Sequence, residues 1–396
     1  MATADAAALS LEKWRAPLSD LREATAALLD CLAVAGVLRT ETFLAQLHRR
    51  RFASVRRTHP YAGTASLGEA LQPPGVVPRL AAFVSPLSLR ASRVASWATR
   101  RALGTTAGML EARGKLYICG GIDEGCPLRS AERFDPASSC WEALPPLPEA
   151  RFHAAAAAVG DCLYICGGDD GGTALSSVEI FDRATGRWKT GTPMLRRRHG
   201  AAAAVIAGQL FVCGGHNGQQ SLSSAEVYRL STWTWEALPA MSCRRHGAAV
   251  ATFTKRLCVC GGHDGKDALR SAERYDPLAG SWERLPPMME KRVSAAAATT
   301  AEGLYACGGY DGTGTLATVE RLIPGGAFWE ALTPMLGGRS GAVAALVAGR
   351  LYVFGGHRGE DALGSAECFE SALGTWEAAP DMQQPRALGA GATLSR

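Results

Sequence analysis

The chain has 396 residues, 47% of them hydrophobic, with 45 glycines, 12 cysteines and a formal net charge of +5. The charge lies in the first hundred residues, which hold 13 basic and 7 acidic side chains against 29 and 30 in the remainder, so the C-terminal three quarters is near neutral and a general nucleic-acid-binding role has little support. The longest apolar stretch, from Ala26 to Leu38, is interrupted by Asp30 and falls short of the roughly 20 residues that cross a bilayer, so no transmembrane segment is expected.

The opening residues, MATADAAALSLEKW, carry acids and lack the apolar core of a signal peptide, so a soluble, cytoplasmic protein is expected. Residues 9–36 and 41–57 show helical spacing, with Leu18, Leu21, Leu28 and Leu32 on one face and Phe43, Leu44, Leu47 and Phe52 on the next. Gly63, Pro73, Pro74 and Pro78 interrupt the pattern, and a third helix is read over Pro86–Leu103. Residues 1–100 therefore form a small, mainly α-helical segment, with room for partial disorder. The basic run His48-Arg49-Arg50-Arg51 with Arg56-Arg57 reads as a solvated helix face, with an acidic partner, a membrane surface or RNA as alternatives.

From residue 101 onward one 47-residue unit is written six times. Gly-Gly pairs stand at Gly120-Gly121, Gly167-Gly168, Gly214-Gly215, Gly261-Gly262, Gly308-Gly309 and Gly355-Gly356. Trp141, Trp188, Trp235, Trp282, Trp329 and Trp376 keep the same step, as do Glu132, Glu179, Glu226, Glu273, Glu320 and Glu367. A period of this size belongs to stacked or radial repeat folds, in which each unit buries its apolar faces against its neighbours. In RHGAAAAVIAGQLFVCGGHNGQQSLSSAEVYRLSTWTWEALPAM, four short apolar segments are separated by turn residues, which predicts a four-stranded meander, one propeller blade. The innermost strand has room only for Ala and Gly, as in HAAAAAV and SAAAAT, while the tryptophan of the outermost strand can wedge against the next blade.

Gly-Gly, the aromatic of SAERFD or SAEVYR, and a tryptophan about twenty residues after Gly-Gly make residues 101–396 resemble a kelch-repeat propeller. Leu322 and Cys258 replace recurring aromatics, but both are apolar. The fold expected is all-β: a six-bladed kelch β-propeller preceded by the small helical segment. A recurring arginine, Arg151, Arg198, Arg245, Arg292 and Arg339, appears once more at Arg386 with no Gly-Gly after it. Residues Ala387–Leu394 are therefore expected to close the ring by pairing with Leu116–Cys119, with Thr105–Ala112 as the rival for that place.

Fixed slots point to structure. The six arginines and six glutamates share the period, and a buried charge persists only when it is paired, so Arg–Glu contacts within or between blades are expected. Cys119, Cys166, Cys213, Cys260 and Cys307 fill one slot directly before Gly-Gly, in different blades, and read as small buried hydrophobes in a reducing compartment.

Variable slots point to function. The connector into strand one and the turn between strands two and three lie on one face of the disc. His153, His199 and His246 follow the recurring arginine there, and His216, His263 and His357 follow Gly-Gly. Arg196, Arg197, Arg244, Lys291, Lys266 and Arg358 share the face with Asp169, Asp170, Asn217, Asp264, Tyr310 and Asp311. These positions are the candidate partner-binding rim. The competing reading is that GGHDG is turn chemistry and its histidine only covers the turn.

The kelch resemblance implies a non-enzymatic module that binds a peptide or protein on this rim, as substrate-recognition adaptor of a cullin-type ubiquitin ligase. Alternatives are an actin or cytoskeletal adaptor and, in a different class, a metal-dependent propeller enzyme using the histidines. The first hundred residues are too short for a BTB domain with its usual helical follower, while an F-box-like element around Leu18–Arg57 fits in length. No nucleophile elbow, phosphate loop or HExxH stands in the chain, and no catalytic residue, cofactor or resident metal is expected.

Overall fold

Each 47-residue unit supplies four short antiparallel strands, and six such sheets stand around a common axis in a computed structural model that describes residues 114–371 and 373–394. The helices expected before residue 101 and the rival closing segment Thr105–Ala112 lie outside the described residues. Blade 3 shows the pattern: His199–Ile206, Gln209–His216, Ala225–Arg229 and Thr234–Leu238 run from the axis outward. Blade 1 takes its innermost strand from the far end of the sequence, where Ala390–Leu394 pairs antiparallel with Lys115–Cys119 in the register Lys115 to Leu394 and Cys119 to Ala390. The architecture is an all-β, six-bladed propeller, and among the described residues no helix is long and apolar enough to cross a membrane.

The core is six cores, one between each pair of neighbouring blades. Between blades 2 and 3, Tyr164, Cys166, Val178 and Ile180 pack against Leu210, Val212, Tyr228 and Trp235. Alternate residues of the second strand thus serve two different cores, which is why this strand reads as continuously apolar. The recurring cysteine falls in a separate inter-blade core each time, as a free thiol. Burial pushes the thiols of Cys119, Cys166, Cys213 and Cys307 up to about 12, so they stay protonated and inert. The tryptophan packs in the opposite sense to the one expected. The Trp235 indole N–H donates to Thr192 O of the preceding blade at 2.9 Å, and Trp141 reaches Pro380 O across the closure at 3.1 Å. In both cases the ring faces the preceding blade around the circle.

Charge is buried at twelve regular places. None of the six arginines or six glutamates exposes more than 4% of its surface. Arg198 sits in the connector from blade 2 to blade 3. Its backbone carbonyl accepts the Gly168 N–H of blade 2 at 2.8 Å, while its guanidinium donates to Gly214 O and Ser224 O of blade 3 and to Glu226 Oε1 at 2.7 Å. The other Glu226 oxygen accepts the backbone N–H of Leu195 at 2.7 Å. Every lone pair that matters is used, as a buried ion pair requires. The Gly-Gly pair is what lets the connector in so close. At φ +64°, a Cβ on Gly167 would stand 2.3 Å from Arg198 O.

Five blades repeat this arrangement, with Arg–Glu separations of 2.7 to 2.9 Å. In blade 1 the arginine is Arg386, bound to Glu132 and to Gly120 O. Blade 2 departs. The residue that should offer its N–H to Glu179 is Pro148, which has none. Glu179 stands 3.6 Å from Arg151, which turns instead to Glu149 at 3.1 Å and leaves its Nε without a partner. Burial, only partly opposed by Arg151, holds the Glu179 carboxyl above the usual carboxylate range.

Two stability predictions follow from these contacts. Removing residues 386–396 strips blade 1 of its innermost strand and leaves Glu132 unpaired, which alone costs about 3 kcal/mol; a sharp fall in melting temperature is expected, and an unchanged one would mean that another segment completes the blade. Glu226→Gln is expected to cost about 3 kcal/mol in urea unfolding and Glu179→Gln less than about 1 kcal/mol, since only the former ends a well-made pair. Equal losses would contradict the reading of blade 2.

Candidate functional site

Two residues after each recurring arginine the chain turns into the left-handed region: His153, Gly200, Gly247, Ser294, Gly341 and Leu388 have φ between +52° and +67°. Each N–H in this slot donates to the carbonyl of the same slot in the preceding connector, Gly200 to His153, Gly247 to Gly200 and on to Leu388 and back to His153. The six bonds, 2.7 to 2.9 Å long, form a closed ring at the mouth of the channel. Sequence reasoning missed this slot, because its occupants differ; its one signal was glycine in three of six copies. Three occupants are not glycine and accept a left-handed conformation at a cost of about 1 kcal/mol each. The Leu388 side chain lies over Gly341, where an added Cβ would meet it at 2.3 Å.

Around this ring the structure places the residues of the sequence-predicted rim. Five histidines stand side by side: ring centroids are 6.0 Å apart for His153 and His199, 5.1 Å for His199 and His216, 5.6 Å for His216 and His246, and 5.2 Å for His246 and His263. The register makes these neighbours. His199 faces His216 across the first two strands of blade 3, and His246 bridges His263 in blade 4. His357 is set apart in blade 6, bridged to Ser340, its Nδ1 3.1 Å from Gly359 O.

Turn chemistry accounts for part of the rim. Asp170, Asn217, Asp264 and Asp311 each accept backbone N–H groups two and three residues on, holding their own loops. The paired donors hold the Asp311 carboxyl down at about 2. In the slot before them, His216 and His263 accept from Gly218 and Gly265 through Nδ1, Asp169 accepts from Gly171, and the Tyr310 hydroxyl donates to Gly312 O. These loops are stiff, and the turn-bound histidines keep Nε2 as their N–H donor.

A cleft of about 540 Å³ opens across blades 2 to 4, lined among others by Asp169, Thr173, Arg197, His199, His216, Asn217, Gln219 and His246. Arg196, Arg197, Arg244, Lys266, Lys291 and Arg358 are exposed on the same face, and none forms an ion pair with a described residue. Elsewhere Lys115, Arg133, Arg229, Arg256, Arg274 and Arg350 do. Arg198, although it completes the run Arg196–Arg198, is turned inward. Burial, and after it the neighbouring His199, His246 and His357, hold His153 down at about 3, and its Nε2 has no hydrogen-bond partner. Burial, then His263, His216 and His199, hold His246 at about 4; His199 is lowered by burial and His216 against the pull of Asp169. His153, His199 and His246 are therefore neutral at pH 7. Among the described residues no three His, Cys, Asp or Glu side chains are grouped so as to hold a metal ion.

The depressed histidines make the fold acid-sensitive. Unfolded His153 takes up a proton near pH 6.5, whereas folded His153 stays neutral until about pH 3, so stability falls as pH drops through that window. His153→Gly, which also suits the left-handed slot, is expected to lose less melting temperature between pH 7 and 5 than the parent chain. An equal loss would show that His153 carries none of the pH dependence.

Comparison with known proteins agrees with the blade architecture. A model described as the KLHDC2/KLHL20/DRC7 Kelch-repeats domain matches residues 94–244, and the Kelch motif matches residues 244–289, 291–336 and 338–383. Kelch-like protein 35 of Mus musculus is 46% identical over 54 residues, 14% of this chain and only 9% of the length of that protein. The solved "Structure of YjhT" superposes with a TM-score of 0.56 at 18% identity, covering 62% of this chain and 88% of that one, a likeness of fold alone. With six closed blades and kelch models matched along them, the chain belongs to the kelch-repeat propellers.

Proposed function

We propose that the propeller is a non-enzymatic binding module that holds an extended segment of a protein partner across the cleft of blades 2, 3 and 4. The observation that carries this reading is the contrast in how cations are used. Several on the blade strands, among them Arg133, Arg229 and Arg274, are neutralised by carboxylates, although Arg187, Lys189 and Arg284 are not, whereas all six on the rim are left open beside a polar cleft. Leu195, Met289 and Leu336, at 57%, 59% and 64% exposure in the connectors that carry Arg196, Lys291 and Arg339, offer apolar contacts alongside. Stiff loops reduce the entropy lost when a partner docks.

Kelch propellers put such a rim to two uses relevant here, substrate recruitment to a cullin-type ubiquitin ligase and attachment to actin, and identification of the co-purified partner separates them. The test is co-purification from cell extract with the full chain and with an Arg196→Ala/Arg197→Ala variant. Arg198 must be left alone, because it is buried and its loss would unfold a blade. The expected result is at least tenfold less partner with an unchanged melting temperature; full retention would remove the rim assignment.

A further inference from the structure

One join in the ring lacks anchors that the other five share, and it is not the one where the two ends of the propeller meet. We propose that the ring opens there, between blades 1 and 2, with residues 151–154 as the hinge and blade 1 moving together with blade 6. The inference concerns the ring alone and does not rest on the rim reading above.

The closure across blades 6 and 1 is reinforced. Besides the pair of Arg386 with Glu132, the Gln383 backbone N–H donates to Glu132 Oε2 at 2.9 Å and its side-chain amide to Trp141 O at 3.0 Å. Phe134, Trp141, Tyr352 and Phe354 pack in the core of this join, with ring centroids 5.2 to 5.6 Å apart. The strand supplied by the far end of the sequence is held on both counts.

Between blades 1 and 2 the anchors are missing. In the other five blades a hydroxyl, that of Ser130, Ser224, Ser271, Thr318 or Ser365, accepts from the arginine Nη2. Its counterpart in blade 2, Ser177 Oγ, is buried without a hydrogen-bond partner, as are Arg151 Nε and His153 Nε2. Arg151 keeps one short bond to blade 2, from Nη1 to Gly167 O at 2.9 Å, and one stretched to 3.5 Å at Ser177 O. Blade 5 shows the cause. There too an acid stands two residues before the arginine, Glu290 in the place of Glu149, yet Arg292 holds both Glu290 and Glu320 at 2.9 Å. The difference is Met289, whose N–H fixes Glu320 at 2.6 Å where blade 2 has Pro148. A competing acid is tolerated; a missing donor is not.

The backbone bonds at this join are ordinary, which makes it a hinge instead of a break. The connector is fastened to blade 1 by the Gly121 N–H on Arg151 O and the Arg151 N–H on Leu128 O, at 2.9 and 3.1 Å. It is fastened to blade 2 by Phe152 and Asp169, which exchange N–H···O bonds of 3.0 and 2.9 Å, and His153 follows in the left-handed region at φ +52°. With the side-chain anchors gone, the Phe152–Asp169 pair is the last directed link, and it opens ahead of the blades themselves. Opening also parts Gly200 from His153 O, so the channel mouth loosens with the join. The equivalent pairs His246–His263, Val293–Tyr310, Ser340–His357 and Ala387–Ile122 have bonds of 2.8 to 3.1 Å but keep their anchors.

The test is native-state hydrogen exchange of the full chain at neutral pH without denaturant, resolved to single amides. Phe152 and Asp169 are expected to have protection factors at least tenfold lower than the four equivalent pairs. Pro148→Leu, which restores the N–H that Leu195 and Leu336 give to Glu226 and Glu367, is expected to remove that difference. Equal protection at all five pairs in the parent chain overturns the proposal, and so does a difference that Pro148→Leu leaves in place.

Discussion

A buried arginine in each connector is the constraint on which the propeller depends. It belongs by its backbone to the blade just finished and by its side chain to the blade about to begin. Arg198 takes the Gly168 N–H on one side and gives its guanidinium to Gly214, Ser224 and Glu226 on the other. Between the sheets themselves neighbouring blades meet mainly through apolar packing, which is tolerant of sliding, with the tryptophan bond at the outer edge and the ring of connector bonds at the channel. Four directed bonds from a planar group are not tolerant of sliding. The arginine thus sets the angle between blades, and Gly-Gly, the glutamate and the tryptophan hydrogen bond are arranged around that setting.

Because five blades hold the arginine within 2.9 Å of its glutamate, the one that does not stands out. Pro148 removes the N–H that Glu179 would have used, and Arg151 drifts to the half-exposed Glu149. Blade 2 is also where His153 sits in the left-handed ring slot with an unpartnered Nε2, and where the cleft begins with Asp169 and Thr173. The weakest join in the ring therefore borders the candidate site. Strain of this kind gathers where a surface is shaped for something other than stability.

The period of 47 made the blade count, the sheet order and the burial of the fixed slots legible, because a residue type repeated in phase six times must answer to the architecture. It also separated Arg198 from Arg196 and Arg197, which composition alone treats as one basic run. What remained hidden was whatever depends on which blade lies beside which side chain. The left-handed ring slot holds His, Gly, Ser and Leu, so no residue pattern announces it. The histidines at 199, 216, 246 and 263 are spread over 64 positions, yet the hairpin registers bring them into one arc. The tryptophan's size marked it as an inter-blade wedge, but only the strand's twist decides that it turns to the preceding blade. Pro148 was readable in principle, as a missing donor 31 residues before a buried glutamate, once the five other blades had shown what belongs there.

The claim that the arginine–glutamate pair, rather than apolar packing alone, fixes one blade on the next is tested most directly by a double-mutant cycle of Arg198→Ala and Glu226→Ala in urea unfolding. A coupling energy of about 2 kcal/mol or more is predicted, with each single substitution costing nearly as much as both together. Additive effects, with coupling below about 0.5 kcal/mol, would mean that the blades are held by their cores and that the pair is a passenger.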